Sequence, residues 1–128
     1  MKLNKKRKSD LMTWADESIR KVFGNGTISE SFNGQIAAFS VSVALSGLKP
    51  TMAIYNSDSS NAEVDKKKII KLLACMIDMD KDIEVEGADL YNKVINSDGA
   101  VENSLKKAII EYAIALKLAI RTFKLSKS

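Results

Sequence analysis

From Ser31 to Leu48 the chain reads SFNGQIAAFSVSVALSGL, 18 residues without a charge between Glu30 and Lys49. Phe32, Ile36, Phe39 and Val43 recur at spacings of four, three and four, which places them on one face of an α-helix. Ala37, Ser40 and Ala44 lay small residues beside that face, where another helix can approach closely. The run is long enough to raise the question of a membrane span. Asn33, Gly34, Gln35, Ser40, Ser42, Ser46 and Gly47 make it too polar and too weak a helix former for one. It reads as a buried core helix that breaks at Ser46-Gly47-Leu48 and resumes as Pro50-Thr51-Met52-Ala53-Ile54-Tyr55.

Working outward, Leu11, Trp14, Ile19, Val22 and Phe23 predict a first helix from about Leu3 to Phe23, ended by Gly24-Asn25-Gly26. Ser29 stands where an N-cap is needed for the second helix. Pro50 clashes with a continuing helix but suits the first turn of a new one, so a short third helix runs to about Asn56. Ile69, Leu72, Leu73, Met76 and Ile77 mark a fourth helix with Asp65 near its start, and a short fifth spans about Gly87 to Ile95. Asp98 or Ser97 can cap the last helix, where Val101, Leu105, Ala108, Tyr112, Leu116, Ala119 and Phe123 keep a three-and-four spacing. Ile109, Ile110, Ile114, Leu118, Ile120 and Leu125 widen its apolar surface, which predicts a central helix contacted on two sides. The expectation is all-α: a single compact bundle of five to six helices over residues 1–128, with the basic end 1–9 either joining the first helix or disordered.

Composition narrows the chemistry. One cysteine and no histidine remove a disulfide framework and the usual imidazole sites, and predict a reducing compartment. Trp14, Asp16, Glu17 and Arg20 occupy the place of a signal peptide's apolar core, so the chain reads as cytoplasmic. Cys75 lies among Leu72, Leu73, Met76 and Ile77, an apolar setting that keeps a thiol inert. Asp78-Met79-Asp80-Lys81-Asp82 opens like a calcium-binding EF-hand loop, but Ile83 stands where the turn glycine belongs and Asp89 where the bidentate glutamate belongs. The block therefore reads as a solvated acidic loop. Gly24-x-Gly26 lacks the rest of a phosphate-cradling motif. No catalytic residue, metal ligand, cofactor or small-molecule substrate is predicted; Glu17, Glu30 and Glu111 show no visible carboxylate partner.

The net charge of +4 is unevenly spread. Lys2, Lys5, Lys6, Arg7 and Lys8 crowd the N-terminus, Lys66, Lys67, Lys68 and Lys71 open the fourth helix, and Lys117, Arg121, Lys124 and Lys127 load the C-terminal end. Lysines in a first helical turn oppose the helix dipole, so the basic head of the fourth helix predicts a role beyond stability. The basic groups read as solvated charge, as a surface that neutralises phosphates without reading bases or, for Lys5-Lys6-Arg7-Lys8, as a nuclear localisation signal. On the second reading the RNA-contacting residues are Lys5, Lys6, Arg7, Lys8, Arg20 and Lys21, with Lys66, Lys67 and Lys68 as a further patch.

The segment from Phe32-Asn33-Gly34-Gln35-Ile36 through Leu45-Ser46-Gly47-Leu48 to Met52-Ala53-Ile54-Tyr55 resembles the small helical subunit of type III-B CRISPR effectors, the Cmr complex. That family carries an aromatic-led apolar helix, a Gly-Leu step and a small-and-aromatic helix, matched here by Gly47-Leu48 and Met52-Ala53-Ile54-Tyr55. Leu90-Tyr91-Asn92-Lys93-Val94-Ile95 and the long helix ending near Arg121 and Phe123 resemble its closing region. The resemblance implies a non-catalytic structural subunit in antiviral defence, part of a ribonucleoprotein. It would stack with copies of itself in a minor filament, beside backbone and large subunits, and contact guide RNA and target RNA. The competing reading is a helical protein-protein adaptor with no nucleic-acid role, binding through the apolar surplus of the last helix. A small metal-dependent enzyme using the acidic block is a third.

Overall fold

The computed structural model describes residues 5–24, 28–56, 63–123 and 125–126. Among them are six helices: α1 (Lys5–Phe23), α2 (Glu30–Ser46), α3 (Leu48–Tyr55), α4 (Glu63–Met79), α5 (Leu90–Ile95) and α6 (Gly99–Ile120). Two short strands, β1 (Ile28–Ser29) and β2 (Leu125–Ser126), pair in parallel. That pairing is too short to alter the all-α class expected from the sequence.

The uncharged run forms α2, with Phe32, Ile36, Phe39 and Val43 buried on its inner face. Ser29 caps it, its hydroxyl accepting from the Ser31 amide at 3.3 Å. Gly47 ends it at φ 100°, a conformation that L side chains rarely adopt, and Leu48 begins α3 at once. The hydroxyls of Ser42 and Thr51 meet at 2.7 Å across this break, so a serine that argued against a membrane span has a local partner. No described helix is long and apolar enough to cross a membrane.

All six helices contribute to one hydrophobic core. α6 lies at its centre, packed by α1 on one side and α2 on the other, as its wide apolar surface predicts. The β1–β2 pairing and the Lys49–Glu102 ion pair at 3.6 Å tie opposite ends of α2 and α6, so these helices run antiparallel. Contacts at both ends of α1 make it parallel to α6 and antiparallel to α4. Val101, expected in the stripe, is 52% exposed, so the core begins one turn after the apolar spacing does. Ile114 and Leu118 also face outward. Ala37 and Ser40 are half-buried and Ala44 is exposed, so the small-residue stripe is only partly covered.

The starts of α5 and α6 differ from expectation. α5 starts at Leu90 rather than near Gly87, because Asp89 takes a left-handed conformation at φ 58°. Asp98 holds the cap position of α6 but its side chain makes no capping bond. Ser97 instead turns its hydroxyl to the Val94 carbonyl at 2.6 Å. Gly24, at φ 58°, follows α1 as expected; Asn25 and Gly26 lie outside the described residues, as does the polar stretch 57–62.

Candidate nucleic-acid interface

The basic residues singled out from the sequence separate into two groups. α1 carries Lys5, Lys6, Arg7 and Lys8 at its head and Arg20 and Lys21 in its last turn. Sixteen residues at about 1.5 Å each put Lys5 and Lys21 roughly 24 Å apart along the helix. Asp10, Asp16 and Glu17 lie between them in sequence, with Lys6 paired to Asp10 at 3.2 Å and Arg20 to Asp16 at 2.9 Å. No continuous basic track runs along α1.

At its far end the antiparallel packing of α1 and α4 brings together residues that are distant in sequence. The Lys68 ammonium lies 4.9 Å from the Phe23 ring centroid, the Arg20 guanidinium 5.2 Å from that of Phe123, and Lys66 5.7 Å from that of Tyr55. Lys21 is close enough to α4 to lower the pKa of Cys75, although burial and Asp78 outweigh it and leave the thiol raised. Arg20, Lys21 and Lys66 to Lys68 therefore share one pole, with aromatic rings interleaved. Arg121 stands there too, two residues before Phe123; Lys124 and Lys127 lie outside the described residues. Cations interleaved with rings combine charge and stacking faces, which suits a surface that meets phosphates and bases.

The conflict with the helix dipole expected at the head of α4 is weaker than the one at the head of α1. α4 begins at Glu63, so Lys66 closes its first turn and Lys67 and Lys68 fall past it, where the dipole's effect fades. On α1 the conflict is real: four cations occupy the first residues and no acid stands in that turn. Each costs a few tenths of a kcal/mol.

Countercharge for the head of α1 comes from elsewhere in the fold. Arg7, expected to meet phosphate, has its guanidinium engaged by three carboxylates. Nη1 and Nη2 donate to Asp80 at 3.1 and 2.9 Å, Nη1 also to Asp82 at 3.1 Å, and Nη2 to Glu111 at 2.8 Å. Tyr112 donates its hydroxyl to Asp80 at 2.6 Å, and the Asp82 amide donates to the same carboxylate at 3.0 Å. Arg7 keeps only 17% of its side chain exposed and Asp80 none.

The bonds to Asp80 raise the Arg7 pKa further, against the opposing effect of burial. Burial pushes the Asp80 carboxyl up, but the bonds from Arg7, Tyr112 and the Asp82 amide outweigh it and hold the pKa below the ordinary value. Burial, then the bond to Asp80, raises the Tyr112 phenol. At neutral pH the cluster is a charged Arg7, a charged Asp80 and a neutral Tyr112.

The acidic block is solvated as the sequence suggests at Asp78, Asp82, Glu84, Glu86 and Asp89, which are exposed, but not at Asp80. Asp80 is buried in this cluster, and Asp78 accepts from the Gly87 amide at 2.6 Å, folding the loop back on α4. Among the described residues no three Asp, Glu or Cys groups stand together where they could hold a metal ion. Sequence reasoning did not find Arg7–Asp80–Tyr112, whose members are separated by 73 and 32 positions. The one available signal was a tyrosine in the apolar stripe of α6, whose hydroxyl needs a partner once buried.

A family model described as CRISPR-associated protein (Cas_Cmr5) matches residues 3–122. No curated protein and no solved structure matches the chain.

Proposed function

The chain belongs to the Cas_Cmr5 family, the small subunit of the Cmr (type III-B) CRISPR-associated complex, and on that premise we propose that it is a non-catalytic subunit contacting guide and target RNA through its basic surfaces. The observation that carries the RNA reading is the pole where α1 and α4 gather Arg20, Lys66 and Lys68 over aromatic rings, with Lys21 and Lys67 next to them in sequence. Lys5, Lys6 and Lys8 form a second, exposed group at the head of α1. Two separated groups suit a strand followed over a distance better than a ligand held in a pocket. In this reading Arg7 supports the second group rather than meeting phosphate.

Family membership makes other Cmr subunits its partners. Val41 and Leu45 on α2 and Ile114 and Leu118 on α6 are exposed apolar residues that suit protein contacts, with neighbouring copies among the partners. The same residues favour the adaptor reading if RNA contact is absent.

Salt dependence separates the two. Lys66→Gln, Lys67→Gln and Lys68→Gln together should lower the slope of log affinity against log salt for a single-stranded RNA by about 2, at about 0.7 per lost phosphate contact. An unchanged slope with a folded variant would favour the adaptor.

A further inference from the structure

The head of α1 sets a local problem that the fold answers from a distance. Lys5, Lys6, Arg7 and Lys8 repel one another and oppose the helix dipole, and no acidic residue stands in that turn to offset them. Asp10, in the next turn, pairs only with Lys6 at the surface, so most of what holds this turn must come from outside the helix. Arg7 alone of the four is drawn inward, where Asp80, Asp82 and Glu111 take its guanidinium, while Lys5, Lys6 and Lys8 stay exposed. The fork on Asp80 is bidentate, and Asp80 is itself fixed by Tyr112 from the central helix and by the Asp82 amide. A bidentate guanidinium fixes direction as well as charge.

We propose that Arg7 and Asp80 are positioning residues for RNA: their buried pair holds the first turns of α1 helical, so that Lys5 and Lys8 meet phosphates from a fixed ridge. The inference rests on the RNA-contacting reading above and deepens it. Buried ion pairs are weak contributors to stability compared with apolar packing, whereas they do fix geometry. Here the fixed geometry carries the exposed lysines. Asp80 thus promotes RNA binding although it is an anion.

This reverses the sign that simple charge counting gives. Asp80→Asn removes a negative charge, so electrostatics alone strengthens RNA binding. Positioning requires the opposite: the amides of Ser9 to Met12 exchange at least about tenfold faster, and the salt slope for single-stranded RNA falls by up to about 1.4, two contacts at about 0.7 each. Lys5→Gln/Lys8→Gln in the full chain lowers the slope by the same amount, and adding Asp80→Asn to it lowers the slope no further. Glu111→Gln, which removes the charge of one acceptor of Arg7 and leaves the Asp80 fork, gives a smaller change in the same direction and serves if Asp80→Asn does not fold.

A slope that is unchanged or steeper in the folded Asp80→Asn or Glu111→Gln chain overturns the proposal. So does an additive fall in the combined variant, which would mean that the cluster acts independently of the two lysines. If Lys5→Gln/Lys8→Gln changes nothing while the Lys66 to Lys68 variant lowers the slope, the RNA reading stands and the positioning role falls. If neither changes it, both fall.

Discussion

Replacing Arg7 by Met should destabilise the protein by about 3–5 kcal/mol, because it leaves the Asp80 carboxylate buried without its cation. For a chain of this size that corresponds to a fall of roughly 11–19 °C in Tm. The loss comes from the orphaned charge and not from any high intrinsic worth of the pair. Arg7→Met/Asp80→Leu/Tyr112→Phe should therefore recover most of it, since Asp82 and Glu111 retain access to water and only the part-buried Asp82 amide loses its acceptor. A single variant that melts like the parent would place Arg7 outside the cluster.

The same carboxylate shapes the acid limb of stability. Its pKa is lowered in the folded protein, so the stabilisation is present above the unfolded value, near 4, and is lost as pH falls through the folded one. Asp80→Asn should flatten Tm against pH in that window and leave the profile's shape above about pH 5 unchanged.

Gly87→Ala is the second large effect. Gly87 is buried where the acidic loop crosses α4, and its amide donates to Asp78. A Cβ added there would overlap the Ala74 carbonyl and crowd the Asp78 carboxylate. The obstruction is helix backbone, which yields only if the loop moves away and gives up the bond to Asp78. The expected cost is about 2–3 kcal/mol, or roughly 8–10 °C in Tm. Because Asp80 and Asp82 lie on the same loop, hydrogen exchange at the head of α1 should quicken as well. Wild-type melting would show that the loop does not approach α4 this closely.

The fold was legible wherever one helix's own residues decided it. Phe32, Ile36, Phe39 and Val43 announce the buried face of α2, Gly47 its end, and the wide apolar surface of α6 its central place. These are local signals, read at a spacing of three and four. Val101 misled because periodicity marks a face and not how far along the helix the neighbours extend. The dipole conflict expected at α4 depended on where that helix begins, and a start two residues before Asp65 weakens it.

The candidate site was legible in its parts and not in its arrangement. Lys66 to Lys68 and Arg20 with Lys21 stand out as charge runs, but only antiparallel packing of α1 on α4 makes them neighbours. Arg7 could not be told from Lys5, Lys6 and Lys8 by sequence, since all four are basic residues in one run. What separates them is direction: α1 turns Arg7 toward α6 and the loop after α4, onto Asp80, Asp82 and Glu111. Asp80 was hidden for the same reason, as one anion among Asp78, Asp82, Glu84 and Glu86 until the fold buries it.

In a Cmr complex assembled around this chain with guide and target RNA, photocross-linking and peptide mapping give the most direct test of RNA contact. Adducts are expected on the peptides that carry Arg20, Lys21 and Lys66 to Lys68. An assembled complex with adducts only on the acidic loop 80–89, or with none on this chain, would contradict it.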